Sequence, residues 1–296
     1  MATEPGPVAG PLAVLLDALD LETIDRNLFR GKTPPTRLQR IFGGQVAAQA
    51  LVAAHRTVPD KTVHSLHAYF LRAGDPAAPV VYEVDPIRDG RSYATRRVVG
   101  LQDGRAIFNL QASFKLPEPG YDRQVPFPED AADPASLPNW TGFGFDDPEK
   151  DEEALPPPSS PFELRMAPPA GGYARLLWFR TLGALPEDPT LHACVAAYAS
   201  DLTLLSVPLE TFAREAAAAG RSMEPPAFVA SLDHAMWFHR PFRVDRWMLY
   251  AQSSPTSGDG RGLCLGHMFG ADGTLGITVV QEGAIRPPRP GDAVRG

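Results

Sequence analysis

The chain has 296 residues, with 28 Lys and Arg against 35 Asp and Glu, a net charge of −7 and a pI near 5.5. That balance provides no basic footprint for a nucleic-acid backbone or an anionic membrane surface, so neither is expected as a partner. A content of 44% hydrophobic and 21% charged residues excludes wholesale disorder, and the length suits about two domains.

No leader or anchor is expected. The apolar stretch from Leu12 to Leu16 ends at Asp17 without a basic region before it, which is too short for a secretion signal. No run approaches the roughly 18 apolar residues of a membrane span. The last residues, Asp292-Ala293-Val294-Arg295-Gly296, lack a peroxisomal S-K-L ending, so a cytoplasmic protein is the expectation. Cys194 and Cys264 are far apart, with no C-x-x-C spacing, and read as reduced core thiols rather than metal ligands.

An N-terminal unit of residues 11–116 contains Phe42-Gly43-Gly44-Gln45 followed by the Ala- and Leu-rich run Val46 to Val58, which reads as a buried helix opened by glycines. Strand-like runs follow at His64 to Leu71, Val80 to Ile87, Tyr93 to Leu101 and Ala106 to Phe114. Gly74-Asp75, Asp89-Gly90 and Asp103-Gly104 punctuate them as turns, so an antiparallel meander is expected.

Thirteen of the 32 prolines fall between Pro117 and Pro169, together with the acidic cluster Asp146 to Glu153 and the triplet Pro156 to Pro158. With no sustained period of 2 or 3.6, residues 117–171 read as a linker or surface excursion. A C-terminal unit of residues 172–287 repeats the first plan: an Ala-rich helix from Leu191 to Leu205, then strands at Val229 to Phe238, Trp247 to Ser253, Gly262 to Phe269 and Leu275 to Glu282. Residues 288–296 form a tail.

Setting residue n against n + 170 pairs Gly90 with Gly260, Arg91 with Arg261, Gly100 with Gly270 and Gln111 with Gln281. Ser65-Leu66-His67-Ala68 echoes Ser231-Leu232-Asp233-His234-Ala235 with one inserted residue, so an internal duplication is expected. A helix apolar nearly all round is best buried by a sheet that curls about it, and two such sheets joined edge to edge would cover their open strands. The class is α+β.

Asp201 is the anomaly: helical spacing puts it on the face of Ala197, Tyr198, Leu204 and Leu205. A carboxylate on a buried face needs a hydrogen-bonded partner or a function; a helix-capping Asp is the alternative. Ser231 and Gln281 are polar positions in otherwise apolar strands and are its candidate partners. Ser231-Leu232-Asp233-His234 does not make a serine hydrolase, because alternate strand residues face opposite sides and there is no G-x-S-x-G elbow. His234 and His239 lack metal-ligand spacing, and no metal or cofactor is expected.

Seven blocks in order carry a resemblance: Leu28-Phe29-Arg30-Gly31, Phe42-Gly43-Gly44-Gln45, His64-Ser65-Leu66-His67-Ala68-Tyr69-Phe70-Leu71-Arg72, Arg88-Asp89-Gly90, Tyr198-Ala199-Ser200-Asp201, Asp233-His234-Ala235-Met236-Trp237-Phe238-His239-Arg240-Pro241-Phe242 and Gln281-Glu282-Gly283. Together the chain resembles the acyl-CoA thioesterase II family. The resemblance implies a tandem double hot-dog, each half an antiparallel sheet wrapped around a central helix. It also implies hydrolysis of acyl-CoA to free fatty acid and coenzyme A. The family's water-holding Asp, Thr or Ser, and Gln fall on Asp201, Ser231 and Gln281. The Pro-rich acidic segment departs from the family pattern.

A thioester has a good leaving group and needs only an activated water. Asp201 would be the general base, with a pKa raised by burial, and Ser231 and Gln281 would orient the water. Backbone N–H groups at Gly43 and Gly44 are the candidate oxyanion donors. Arg88 is favoured among Arg72, Arg88, Arg91, Arg96 and Arg97 for coenzyme A phosphates, and His64 is a candidate wall of the substrate path. With Ser65 and Gln111 as apparent counterparts but only Gln45 and Gln49 in its helix, the N-terminal unit lacks a base, so one site per chain is expected. Two rivals remain: an enoyl-CoA hydratase or dehydratase using Asp233-His234, and a non-catalytic acyl-CoA-binding protein. By analogy with sheets that continue across chains, a homodimer or higher homo-oligomer is expected.

Overall fold

In the computed structural model helix α1 (Pro11–Leu19) leads into a hairpin of β1 (Glu22–Asp25) and β2 (Leu28–Gly31). Residues 10–36, 38–140, 160–223 and 226–287 are described. These first three elements lie outside the sequence expectation, because β1 is exposed at all four positions and presents no alternation. The glycine-opened helix α2 (Gly43–Arg56) follows, with ten of its residues buried. Then come β3 (Thr62–Phe70), β4 (Val80–Asp89), β5 (Tyr93–Gln102) and β6 (Arg105–Lys115), the expected meander. Asp103 and Gly104 join β5 to β6 with φ of 47° and 71°, the two-residue turn that matches strand twist.

The C-terminal half begins earlier than the sequence expectation, with β7 (Phe162–Ala167) and β8 (Arg175–Thr181). The expected helix from Leu191 to Leu205 is interrupted. Helix α3 (Pro189–Ser200) stops, the chain turns through Asp201 to Thr203 and a 3₁₀ turn at Leu204–Ser206, and α4 (Val207–Ala218) restarts with a proline in its first turn. By length and hydropathy the passage Pro189–Ala218 could cross a membrane, contrary to the sequence expectation that no run approaches this, but 61% of its most apolar window is buried inside the protein. The expected strand from Val229 to Phe238 divides at Leu232 into β9 (Phe228–Ser231) and β10 (Asp233–Phe238). Three long strands complete the chain: β11 (Met248–Gly258), β12 (Arg261–Gly270) and β13 (Leu275–Arg286).

The strands make one sheet in the order β1-β2-β4-β5-β6-β3-β10-β13-β12-β11-β8-β7, with β9 also on β13. The two halves meet at β3 and β10, antiparallel, from Asp233 opposite Tyr69 to Trp237 opposite Ser65. Inside the curled sheet α2 and α3 pack antiparallel. The N-terminal end of α2 meets the C-terminal end of α3 through Phe42 and Tyr198, whose ring centroids are 4.9 Å apart. At the other end Thr190 Oγ1 lies 2.9 Å from His55 Nε2. One apolar core, including Leu51, Phe114, Val195 and Met236, runs through both halves.

The segment 117–171 is not simply a linker. Its residues 162–167 are β7, and those before residue 141 lie across the outer face of the C-terminal sheet. There Trp178 Nε1 donates to Ala132 O at 2.9 Å, Gln124 Nε2 donates to Gly273 O at 2.8 Å, and Phe127 packs on Phe269. That face holds a second apolar cluster, including Leu176, Trp178, Leu249 and Phe269, which this strap covers. The acidic cluster, the triplet Pro156 to Pro158 and the tail 288–296 lie outside the described residues.

Candidate active site

Asp201 caps the C-terminal end of α3, as in the capping reading, and is half-buried where the helix stops rather than set on a continuous helical face with Leu204 and Leu205. Its carboxylate points at the beginning of α2, where the backbone N–H of Gly44 donates to it. Two glycines permit this approach. A Cβ on Gly43 would stand 2.7 Å from Asp201 Oδ2 and 2.8 Å from Phe70 Cε1; one on Gly44 would stand 2.5 Å from the Tyr198 carbonyl oxygen. The N-terminal half therefore contributes a wall and a donor to a site whose other polar groups come from the C-terminal half.

Those groups arrive on two neighbouring strands. Ser231 ends β9 opposite Gly283 of β13, and the one-residue irregularity at Leu232 turns the chain before β10 resumes. Gln281 is buried on β13. Its Nε2 donates to Asp201 Oδ1 at 2.6 Å and to Ser231 Oγ at 2.9 Å, and the Ser231 hydroxyl makes a longer contact of 3.4 Å to the same carboxylate oxygen. Gln281 Oε1 is buried with no hydrogen-bond partner among the described residues. Burial raises the Asp201 pKa to about 6, against the opposing pull of the Gln281, Gly44 and Ser231 donors. At neutral pH the carboxylate is charged, fixed by three donors and close to its titration point.

His234 lies behind this group. It is buried, with Nε2 2.8 Å from Ser200 Oγ, and desolvation pushes its pKa down to about 4, so it is neutral. Tyr250 donates to the Ser200 carbonyl at 3.1 Å. These contacts hold the turn that carries Asp201. Asp233 points elsewhere, accepting the Glu282 backbone N–H at 2.7 Å, so Asp233 and His234 do not form a proton-shuttling pair. Among the described residues no group of three His, Cys, Asp or Glu side chains is assembled for a metal.

Asp201 and Ser231 line a cavity of about 640 Å³ between the halves. Its walls are largely apolar, with Ile41, Phe42, Val46, Phe70 and Phe108 from the N-terminal half and Leu205 and Leu232 from the other. Gly43 lines it, whereas the Gly44 N–H is engaged by Asp201, so the two glycines do not form a free donor pair. His64 and Arg88 are not among the lining residues. His64 instead bonds Ser113 Oγ at 2.8 Å and packs edge-on to Tyr93; Arg88 is exposed on β4, with its carbonyl accepting from Arg96. Arg96 and Arg97 pair with Asp89 and Asp85. Sequence reasoning singled out Arg72 without favouring it and missed Arg40 and Arg286; all three line the cavity.

The counterparts in the N-terminal half also change. Gln111 is exposed, opposite His67 on β3, whereas Gln281 is buried. Both halves carry the same register irregularity: between Val63 and Ser65 on β3, and at Leu232 between β9 and β10. Matching the two irregularities puts Val63 in the place of Ser231 and Ala112 in that of Gln281. Thr57 caps α2 as Asp201 caps α3, and there Arg96 Nε donates to the Thr57 hydroxyl at 2.7 Å. Gln49 is a structural tether, donating to Ala18 O and Lys32 O and accepting from Tyr82.

The likeness to known proteins covers both halves. Residues 160–284 match the acyl-CoA thioesterase family model and residues 32–115 match the acyl-CoA thioesterase N-terminal domain model. The mouse protein named acyl-coenzyme A thioesterase 8 is 40% identical over 95% of this chain and 92% of its own length. Acyl-CoA thioesterase 2 of Haemophilus influenzae is 36% identical over 92% of this chain and 96% of its own. Among solved structures, the acyl-CoA thioesterase II TesB2 of Mycobacterium marinum superposes with a TM-score of 0.77 at 42% identity, covering 93% of this chain and 98% of that one. With its two curled half-sheets and the matching of both halves, the chain belongs to the acyl-CoA thioesterase II family of double hot-dog proteins and is a thioester hydrolase.

Proposed function

We propose that this chain cleaves acyl-CoA to free fatty acid and coenzyme A at a single site, by direct attack of a water molecule that Asp201 deprotonates. The carrying observation is the bonded set itself: Gln281 Nε2 within 2.6 Å of Asp201 Oδ1 and 2.9 Å of Ser231 Oγ, beside a cavity between the halves. A base with a pKa of about 6 is ionised at neutral pH and still basic enough to accept a proton in the transition state.

The water oxygen bonds to the thioester carbon as its proton passes to Asp201. The tetrahedral intermediate then collapses, the C–S bond breaks, and the thiolate leaves and takes up a proton. Ser231 and Gln281 hold the water; with both Gln281 N–H groups engaged, Oε1 is the acceptor that sets its second hydrogen. Gly43, at the N-terminal end of α2, is assigned the carbonyl oxygen as it gains charge. The positions that match Ser231 and Gln281 in the other half are Val63 and Ala112, which supports one site per chain.

Self-association is assigned to the N-terminal face of the sheet. Tyr69 is 56% exposed there, whereas the strap covers the C-terminal face.

The functional test is free-thiol release from a panel of acyl-CoAs of short to long chain. Turnover that varies with chain length is the expected result, because the cavity walls bound the acyl group. Tight binding without thiol release would replace hydrolysis with a binding function.

A further inference from the structure

Asp201 sits in a turn that stops α3 inside the protein, where the last carbonyl groups of the helix must be met by side chains. Buried donors hold that turn on both sides. Before Asp201, the Ser200 carbonyl accepts from Tyr250. After it, Thr203 is buried, its hydroxyl accepting from Gln252 Nε2 at 2.5 Å and its carbonyl from Arg175 Nη1 at 2.7 Å. Gln252 and Arg175 stand directly opposite each other on β11 and β8, with Arg175 Nη1 also 3.3 Å from Gln252 Oε1. Arg175 is the bulkiest fully buried side chain among the described residues, and it enters the core from the same face of β8 as Leu177 and Phe179.

The other nitrogens of Arg175 hold Glu210 in the first turn of α4: Nε donates to Oε2 at 3.1 Å and Nη2 to Oε1. One guanidinium thus ties together β8, the turn after Asp201 and the helix that restarts beyond it. Taking a guanidinium out of water is costly, and an apolar side chain of similar volume often serves stability as well, so stability alone does not account for it. The N-terminal half shows the contrast. There Arg96, paired with Asp89, donates to the capping residue itself, through Nη2 to Thr57 O at 3.1 Å and through Nε to its hydroxyl. In the C-terminal half the arginine lands two residues past the capping position, and the groups that donate to Asp201, namely Gln281, Gly44 and Ser231, are uncharged. The turn is clamped without an ion pair to the base, which would hold the carboxylate's pKa down.

We infer that Arg175 is a positioning residue for hydrolysis: by fixing the Thr203 carbonyl against Glu210 it sets the turn that aims the Asp201 carboxylate at the attacking water. A displacement of about 1 Å caused by a group remote from the reaction can cost about 10²-fold in rate. Arg175 acts through the turn and is not among the cavity's lining residues. The inference rests on Asp201 being the base, as proposed above.

The test begins with Arg175→Met, which fills much of the same volume without a charge; the Glu210 side chain, 39% exposed, can then turn to water. In this variant kcat for thiol release should fall about 10- to 100-fold, with KM within about twofold. Arg175→Lys keeps the charge but cannot fork between Glu210 and Thr203, and its kcat should fall by about three- to tenfold. Both changes are repeated in an Asp201→Asn background, where no base is left to misplace, so the residual turnover should move by less than about twofold. Thermal unfolding shows which proteins are folded at the assay temperature. Wild-type kcat in a folded variant, a loss carried by KM alone, or the same fold-loss in both backgrounds would each overturn the inference, because a merely structural role lowers Tm, or lowers turnover with and without the base alike. Should Arg175→Met not fold, Arg175→Lys decides by the same readings. If Asp201→Asn itself kept wild-type turnover, the base reading would fall and this inference with it; a severely impaired Asp201→Asn beside a fully active Arg175→Met would remove this inference alone.

Discussion

Asp201→Asn should cut turnover severely and make the protein more stable. General-base catalysis contributes about 10²- to 10⁴-fold, so kcat for thiol release should fall by roughly 10³-fold. The stability gain follows from the same burial. Asp201 titrates at about 6 in the fold against 3.8 when exposed, so between these values the native state binds more protons than the unfolded state. Stability is therefore highest below pH 4 as far as this group is concerned and declines as pH rises through about 6. At pH 7 the charged carboxylate costs about 3 kcal/mol at most. Asn carries no charge and keeps its one oxygen for Gln281 Nε2, but its NH2 then faces the donor at the start of α2, so it should recover only part of this, about 1–2 kcal/mol. For a chain of this size that is a rise of several degrees in Tm. Parallel assays of thiol release and thermal unfolding check both signs, and a variant that is inactive but less stable would attribute its loss to misfolding.

The second large effect is on pH dependence. With Asp201 as the base, kcat/KM should rise about tenfold per pH unit at low pH and level off above about pH 6 to 7. His234, held neutral by burial with a pKa of about 4, adds no limb near neutrality. Gln281 is the strongest of the three donors that lower the Asp201 pKa. Gln281→Ala should therefore move the acid limb to higher pH as well as lowering kcat, by about 10²-fold for a water held in the wrong direction. Rate profiles from pH 4 to 9 for both proteins measure this. An acid limb at the same pH in the variant would mean that the titrating group is not Asp201.

The sequence was most legible where one physical constraint acts. The apolar helix α2 and the strands β3 to β6 follow periodicity and turn chemistry alone, and each appears within a few residues of its expected place. The elements that sequence reading missed are those it could not distinguish from a surface excursion. β7 has intermediate burial at four of its six positions, and the strap before it is read only through its contacts with Trp178 and Phe269. The ungapped repeat failed for a related reason. Set at 170 residues, the alignment is one residue out of register here, and because successive strand residues face opposite sides Gln111 faces outward while Ala112 takes the position matching Gln281.

The site was legible in part because a carboxylate on an apolar helix face is costly wherever it occurs, so Asp201 carried its own signal. Ser231 and Gln281 became meaningful only as its partners. Arg88 has an exposed turn and a recognisable block around it, yet what lines the cavity depends on which loops converge there. Arg40, Arg72 and Arg286 come from three segments distant in sequence, and no local pattern marks their meeting.

The central claim is that water, activated by Asp201, attacks the thioester directly without an acyl-enzyme. A single turnover in ¹⁸O-labelled water, with enzyme in excess over acyl-CoA, tests it most directly. The released fatty acid should carry one ¹⁸O from the first turnover, and the peptide containing Asp201 should stay unlabelled. Unlabelled fatty acid with ¹⁸O appearing in Asp201 would mean that the carboxylate itself attacks, and would contradict the account.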